Sequence, residues 1–144
     1  MERVHASCVA IEGKGVLLRG PSGAGKSDLA LRLIDAGATL VADDQVEVSR
    51  DGDTLYARPA ARLAGLLEVR GLGILKMPYQ ERTRLDLIVD LVEPDRVERM
   101  PESRTDGYEE VSLPAVSLDP FTASALAKLR LALQMASGVI IALR

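Results

Sequence analysis

Aromatic residues are scarce in this sequence, and their scarcity limits what the protein can bind. They make up 3% of the 144 residues, and tryptophan is absent. The core must therefore be aliphatic, and few rings are available to stack on a nucleotide base. The formal net charge is −3, and no block of basic residues occurs. This charge balance argues against binding to nucleic acid.

Cysteine and long apolar runs are also rare. The single cysteine, Cys8, cannot form an internal disulfide, which favours a reducing compartment, and its apolar neighbours predict a buried, inert thiol. No apolar stretch approaches the ~18 residues that a membrane-spanning helix needs, and the first residues do not resemble a signal peptide. We therefore expect a cytoplasmic protein without membrane contact that forms one domain over residues 1–144.

A glycine-rich stretch at 20–27 organises the rest of the sequence. It fits the pattern G-x-x-x-x-G-K-S, which is typical of phosphate-binding P-loops. An apolar run at 15–19 precedes it, and helical spacing follows it, so the context is strand, loop and helix. Glycines allow the tight turn, and backbone amides at the start of a helix attract phosphates. The predicted nucleotide-binding residues are Gly20, Pro21, Ser22, Gly23, Ala24, Gly25, Lys26 and Ser27.

Two residues of this loop predict the cofactors. In P-loops the lysine, here Lys26, reaches the β- and γ-phosphates of the nucleotide, and the hydroxyl of the following residue, here Ser27, ligates Mg²⁺. A second apolar stretch, at 38–44, ends in Asp43 and Asp44, as in the strand whose aspartate holds Mg²⁺ in P-loop enzymes. Neighbouring strand residues point to opposite faces, so one carboxylate can serve the metal while the other faces the acceptor. A solvated Asp-Asp turn is the structural alternative.

The remaining pattern predicts an α/β fold in which a mixed sheet with antiparallel hairpins packs on two main helices. Predicted strands lie at 3–11, 85–92 and 111–118, predicted hairpins at 3–19 and 45–58, and predicted helices at 26–36 and 120–137. The hairpin around the turn at 12–15 places His5 near the P-loop.

Three segments leave their role open. Glu68 and Arg70 are two apart in an otherwise apolar run at 66–75, which is typical of a metal ligand beside a phosphate contact, or of a salt-bridged edge strand. The charged segment 95–107 is either a solvated loop or an active-site arm that carries an arginine. The apolar tail at 139–143 either packs in the core or forms a subunit contact.

Four segments in chain order resemble the catalytic domain of HPr kinase/phosphorylase, in a short form without the N-terminal domain of that family. They are His5 in a strand before the P-loop, the P-loop followed by an aspartate, Leu-Val-Ala-Asp-Asp at 40–44, and Glu-Val-Arg-Gly-Leu-Gly-Ile-Leu at 68–75. The last is close to the signature of the family, Glu-Ile-Arg-Gly-Leu-Gly-Ile. Together the segments span residues 5–75, about half of the chain.

The resemblance implies an ATP- and Mg²⁺-dependent serine kinase that phosphorylates an HPr-type phosphocarrier protein of the phosphotransferase system. It implies a P-loop kinase domain of the phosphoenolpyruvate-carboxykinase-like type, assembled as a hexamer. It also implies that Ser27 and Glu68 ligate Mg²⁺, with Asp43 close by. The catalytic residues that it implies are His5, Lys26, Asp44 as the base that takes the serine proton, and Arg99, with Arg96 as the second choice for the arginine.

The sequence departs from the family in two places. The glycine-rich loop Phe-Gly-Ala-Gly of the family is replaced at 76–84 by a shorter segment without glycine. The segment Pro-Val-Arg-Pro-Gly-Arg, associated with the phosphorylase reaction, corresponds here to 114–120, which has neither arginine. Phosphorylase activity is therefore left open. Two alternatives to the protein kinase remain, a small-molecule P-loop kinase and a nucleotide-binding switch without transfer chemistry.

Overall fold

The computed structural model describes residues 1–143, which form a mixed sheet, a separate hairpin and two main helices. The strands are β1 (Glu2–Val4), β2 (Ala6–Ile11), β3 (Lys14–Arg19), β4 (Thr39–Ala42), β5 (Val46–Asp51), β6 (Thr54–Pro59), β7 (Leu66–Val69), β8 (Gly73–Lys76), β9 (Thr83–Leu91), β10 (Thr105–Tyr108) and β11 (Val111–Leu118). The helices are α1 (Lys26–Asp35) and α2 (Ala125–Ala136), and short 3₁₀ turns lie at Ala61–Leu63 and Pro94–Arg96. Within residues 1–143, neither helix is long and apolar enough to cross a membrane.

Strand β9 lies at the centre of the main sheet because its nine residues are enough to pair with three other strands. Its start pairs antiparallel with β6, its later residues pair parallel with β11, and β3 runs parallel to it along the other edge. The path through the sheet is β1-β5-β6-β9-β3-β2-β4, and β10 extends it beyond β11. The predicted α/β class, mixed sheet and two main helices are confirmed.

The hairpin of β2 and β3 carries the chain into the P-loop. Its turn has two residues, Glu12 and Gly13, both with positive φ (51° and 79°), the combination that matches the twist of the flanking strands. The turn is shorter than the predicted span of 12–15 because Lys14 already pairs with Ile11. Ala6 pairs with Arg19, so His5 lies beside the start of the P-loop, as predicted.

The helices pack on one face of the sheet and form an aliphatic core. Leu29 and Leu33 of α1 and Leu129 and Leu133 of α2 are buried there against β3 and β9. Full burial of one such leucine contributes roughly 1.5–3 kcal/mol, so the helices are held by packing rather than by intrinsic propensity. The opposite face holds a second apolar cluster that includes Cys8. Burial raises the pKa of the Cys8 thiol, as expected for an inert cysteine.

Several predicted boundaries were wrong because tertiary pairing overrides local pattern. The predicted strand 3–11 divides at His5, since β1 pairs with β5 whereas β2 pairs with β3 and β4. Helix α2 begins at Ala125 instead of residue 120. The charged segment 95–107 contains a strand, β10, which pairs with β11. In the tail, Val139, Ile141 and Leu143 are strongly exposed, so it does not pack in the core.

A charged network joins the end of β3 to the β10–β11 hairpin. Arg19 donates two hydrogen bonds to the carboxylate of Asp90, at 2.8 and 3.0 Å, and one to Asp106 at 2.7 Å. Arg104 donates to Asp90 at 2.9 Å. Partial burial alone would raise the pKa of Asp90, but Arg19 and Arg104 outweigh it and hold that pKa below its usual value. Because Arg19 precedes Gly20, the network anchors the strand that leads into the P-loop.

We expect Asp90→Asn to lower the free energy of unfolding at pH 7 by about 1–3 kcal/mol, because charge-assisted hydrogen bonds are lost. The depressed pKa of Asp90 stabilises the fold above the usual carboxyl pKa of ~3.9, and this contribution is lost as the pH falls through the folded-state value. Urea unfolding of both proteins from pH 7 down to pH 3 should therefore show their difference shrinking.

The matched control is Asp53→Asn, because Asp53 is fully exposed and lies 3.6 Å from Arg50. This substitution should change the stability by less than ~0.5 kcal/mol. An equal loss in both variants, or a difference between Asp90→Asn and the parent protein that does not vary with pH, would contradict the role given to the network.

Candidate active site

The loop at 20–25 connects β3 to α1 and wraps around the side chain of Lys26. The Lys26 ammonium donates hydrogen bonds to the backbone oxygens of Gly20 at 2.6 Å and Pro21 at 3.0 Å. Gly25 has φ +98°, and a Cβ there would lie 3.0 Å from a ring carbon of Phe121. Glycine is therefore required at this position for its backbone conformation and for the close approach of its neighbour.

Lys26 is buried, and burial lowers the pKa of its ammonium, although nearby Asp43 and Asp44 oppose this shift. An ammonium held by carbonyl oxygens at the base of a glycine loop can exchange these partners for the oxygens of an anionic ligand. This arrangement, next to the start of α1, suits a phosphate group.

Asp43 is the buried polar centre of the site. Its Oδ1 accepts hydrogen bonds from Ser7 Oγ at 2.6 Å and from Ser27 Oγ at 2.8 Å, and its Oδ2 lies 3.0 Å from Ser27 Oγ. The backbone amide of Glu68 lies 3.5 Å from Oδ2. The carboxylate thereby fixes the hydroxyl that the sequence predicts as a Mg²⁺ ligand.

Asp44, unlike the buried Asp43, is exposed. Its backbone has φ +70°, a left-handed conformation that aspartate tolerates better than most residues. His5 Nε2 lies 3.1 Å from Asp44 Oδ1, and both side chains are more than half exposed. One carboxylate is thus buried beside Ser27, and the other is open to solvent.

The segment 66–75 is a hairpin rather than one strand. Glu68 lies on β7, whereas Arg70 lies in the turn before β8, so the two charges do not share a strand face as the spacing predicted. A small apolar cluster of Leu40, Leu67 and Val69, with Leu31 and Leu75 packed on it, holds the hairpin against α1 and β4. This packing brings the exposed Glu68 to the site.

Most of the predicted site residues line one cavity of about 530 Å³, a size typical of small-ligand sites. Its lining includes His5, Ser7, Ser22, Gly23, Gly25, Lys26, Ser27, Asp28, Leu31, Asp43, Asp44, Glu68, Val69, Arg70 and Phe121. Arg99 is exposed, in a stretch between the 3₁₀ turn Pro94–Arg96 and β10, and does not line this cavity. Gly20, Pro21 and Ala24 belong to the loop but not to the lining.

The oxygen donors of the cavity fit a magnesium ion that also binds phosphates. Ser27 Oγ and the Asp43 carboxylate already lie 2.8 Å apart, and Glu68 lines the same cavity. Magnesium in kinase sites is held by one or two carboxylates together with substrate phosphates. Within residues 1–143, no group of three or more His, Cys, Asp or Glu side chains is placed so that it could hold a metal ion.

Several lining residues were not predicted as site residues from the sequence, and Ser7 and Phe121 are two of them. Ser7 is fully buried in β2. Its polar side chain within an otherwise apolar run was the sequence signal that it has a specific partner. Phe121 was missed because the segment after Pro120 was predicted to be helical. That segment instead forms turns, which place the ring at the cavity.

Comparison with known proteins identifies the family. The family model for the HPr serine kinase C-terminal domain matches residues 1–129. The chain belongs to this family. The resemblance found in the sequence is therefore confirmed over most of the chain and not only over residues 5–75.

Individual relatives point to the same family. The chain is 37% identical over 138 residues to an HPr kinase/phosphorylase from Levilactobacillus brevis, covering 88% of this chain and 44% of that protein. It is 44% identical over 109 residues to an HPr kinase/phosphorylase from Bordetella avium, covering 68% of this chain and 35% of that protein. The chain thus spans less than half the length of these curated relatives.

One solved structure has the same fold. The Hpr(Ser) kinase/phosphatase from Coxiella burnetii superposes with a TM-score of 0.80 at 22% sequence identity, covering 96% of this chain and 91% of that one. At this identity the similarity supports the architecture and not the chemistry, which has to be argued from the site itself.

The contact between Ser7 and Asp43 can be tested by Ser7→Ala. The buried carboxylate would lose a charge-assisted hydrogen bond, so we expect the free energy of unfolding to fall by about 1.5–3 kcal/mol, measured by urea unfolding. Ser112→Ala is the control, because Ser112 is exposed on β11, and it should have little effect. Equal stability of both variants would show that Asp43 does not depend on Ser7.

Proposed function

We propose that this chain is a P-loop kinase catalytic domain over residues 1–144, which transfers the γ-phosphoryl group of ATP to a serine of an HPr-type phosphocarrier protein. The observation that carries the proposal is the pair of adjacent carboxylates with opposite surroundings. Asp43 is buried against the P-loop serine, and Asp44 is exposed beside His5. This arrangement separates metal binding from acceptor activation.

In this proposal the phosphates of ATP lie in the loop at 20–27 and meet Lys26. Ser27, Asp43 and Glu68 hold Mg²⁺ together with phosphate oxygens, and the metal neutralises negative charge on the β- and γ-phosphates. The loop amides and the start of α1 supply fixed dipoles for the same charge. These groups act by positioning, because phosphoryl transfer needs little covalent chemistry from the protein.

Asp44 is the proposed general base. Its carboxylate accepts the proton of the acceptor serine as the serine oxygen bonds to the γ-phosphorus. The bond between this phosphorus and the β–γ bridging oxygen breaks, and ADP leaves with the electron pair. His5, 3.1 Å from Asp44 Oδ1, positions the carboxylate. The exposure of both residues suits an acceptor that is a protein, since a bulky partner can reach them.

We also assign the finer fold type and the assembly here. The antiparallel β2–β3 hairpin beside the P-loop supports the phosphoenolpyruvate-carboxykinase-like type, because an all-parallel P-loop protein lacks such a pair. Exposed apolar residues near the chain end, including Val139 and Ile141, support a homo-oligomer, which we expect to be a hexamer as the family resemblance implies.

The central test combines a substrate assay with Asp44→Asn. The chain is incubated with Mg-ATP and an HPr-type protein, and mass spectrometry locates the phosphate. We expect one phosphorylated serine and a loss of rate of at least a hundredfold in the variant, because general-base catalysis contributes roughly 10²–10⁴. ATP affinity should stay within about twofold, because asparagine retains the size and the left-handed tolerance of aspartate.

Three outcomes would count against the proposal. Near-normal transfer by Asp44→Asn would remove Asp44 as the base. ATP consumption that needs a small acceptor instead of the protein would favour a small-molecule kinase. ATP binding without any transfer would favour a nucleotide-binding switch. Asp35→Asn, which removes an exposed carboxylate of α1 that does not line the cavity, is the comparison for nonspecific loss of charge.

The arginine of the charged segment has its own test. We propose that Arg99 approaches the transferring phosphoryl group in the complex with ATP and acceptor, so Arg99→Ala should lower kcat about tenfold or more. Arg62→Ala is the control, since Arg62 is exposed in a 3₁₀ turn away from the cavity. The readout is the phosphorylation rate at saturating ATP and acceptor. A larger effect of Arg96→Ala would transfer the role to Arg96.

A further inference from the structure

Phe121 is an exposed aromatic residue in a chain that has almost none. It is the single phenylalanine of the sequence, its side chain is 69% exposed, and it lines the cavity that holds the P-loop. Exposure of a large apolar ring forgoes roughly 1.5–3 kcal/mol of burial. A ring kept at the rim of a ligand cavity therefore calls for a functional explanation.

The backbone at Phe121 is held in place by specific contacts. Its amide donates to Asp119 Oδ1 at 3.0 Å, and the carbonyl of the preceding, buried Pro120 accepts a hydrogen bond from Arg32 of α1 at 2.5 Å. Arg32 is itself paired with Asp28 at 3.1 Å. The ring thus extends from an anchored turn that is tied to the P-loop helix.

The ring also lies directly against the P-loop. The position that a Cβ on Gly25 would occupy is 3.0 Å from Phe121 Cζ and 3.3 Å from Phe121 Cε1. Three apolar side chains line the cavity, and the other two, Leu31 and Val69, pack in the apolar cluster under the β7–β8 hairpin. Phe121 is therefore the strongly exposed apolar surface that the cavity offers to a ligand.

We propose that Phe121 is the nucleobase-binding residue of the site, with the purine base of the nucleotide stacked on its ring. This inference rests on the proposed function, because it takes the loop as the triphosphate site. A nucleotide whose phosphates occupy the loop must extend its ribose and base out of it, and Phe121 contacts the loop at Gly25. Stacking on an aromatic face is largely tolerant of base identity, so ATP and GTP should bind with similar affinity.

An acceptor protein is the other partner that an exposed ring could serve. The contacts favour the base, because Phe121 touches the loop that holds phosphates, whereas the acceptor serine has to reach Asp44 at His5. The arrangement also explains how a sequence with few aromatic residues and no tryptophan can still recognise a base.

The test compares ligands with and without a base on the full chain. Binding of Mg-ATP, Mg-GTP and Mg-tripolyphosphate is measured by calorimetry for the parent protein and for Phe121→Ala. We expect the variant to bind ATP and GTP about tenfold more weakly, at the lower end of the effect of base–aromatic stacking because one side of the ring stays in water. Tripolyphosphate affinity should change by less than about twofold. Phe121→Tyr should restore nucleotide affinity, and Leu131→Ala, at another exposed apolar residue, on α2 and outside the cavity, should not reduce it.

A second variant measures the stacking of the base on residue 121 directly. Since the chain contains no tryptophan, Phe121→Trp places the single tryptophan of the variant at the proposed base site, where it can be excited selectively over the three tyrosines. Its emission should be quenched by Mg-ATP and Mg-GTP and left nearly unchanged by Mg-tripolyphosphate. This measurement does not depend on how well the alanine variant folds.

Each other outcome overturns the inference and shows where it fails. Equal weakening of ATP and tripolyphosphate in Phe121→Ala would mean that the ring only shapes the loop. Unchanged nucleotide affinity with a raised KM for the HPr-type acceptor would assign the ring to the protein partner. No binding of ATP or tripolyphosphate by the parent protein would remove the proposed function, and the base site with it.

Discussion

The buried carboxylate of Asp43 is the interaction on which the site depends. It accepts hydrogen bonds from Ser7 of β2 and Ser27 of α1 and lies 3.5 Å from the amide of Glu68 on β7. A buried carboxylate without such donors would cost several kcal/mol. The fold therefore has to bring these elements together. In doing so it places the Ser27 hydroxyl and the β7–β8 hairpin next to the Asp43 carboxylate.

The chain then uses a backbone turn to separate two neighbouring carboxylates. Asp43 directly follows the buried end of β4, and Asp44, with its positive φ (70°), places its exposed side chain beside His5. Left-handed backbone at a non-glycine residue carries a cost, and such residues concentrate at functional sites. Two adjacent aspartates thus acquire different environments, which is the physical requirement for one to bind metal while the other exchanges protons.

Sequence reasoning succeeded where the signal is local. The P-loop, the β2–β3 hairpin, the β5–β6 hairpin and the two acidic residues after β4 each follow from turn chemistry or from periodicity over a few residues. It failed where pairing is distant. The break at His5 depends on β1 pairing with β5, and β10 forms because it pairs with β11. Neither neighbour can be deduced from the composition of the segment itself.

The same distinction applies to the candidate site. Residues that belong to a motif were predicted, whereas Ser7 and Phe121 reach the cavity through packing. Ser7 reaches Asp43 because β2 runs beside β4, and Phe121 reaches the cavity because Arg32 and Asp119 hold its turn. Arg99 is the opposite case, because it was selected from the family resemblance but does not line the cavity. Its position relative to a bound phosphoryl group would depend on the ligands and on the partner protein.

The segment before α2 is a place where this chain departs from the family pattern. Where the family has two arginines associated with the phosphorylase reaction, this chain continues β11 along β9 and then uses Asp119 to hold the turn of Phe121. Nearby Arg104 cannot simply replace them, because it is paired with Asp90 at 2.9 Å. In this chain the segment instead serves sheet pairing with β9 and the anchored turn of Phe121.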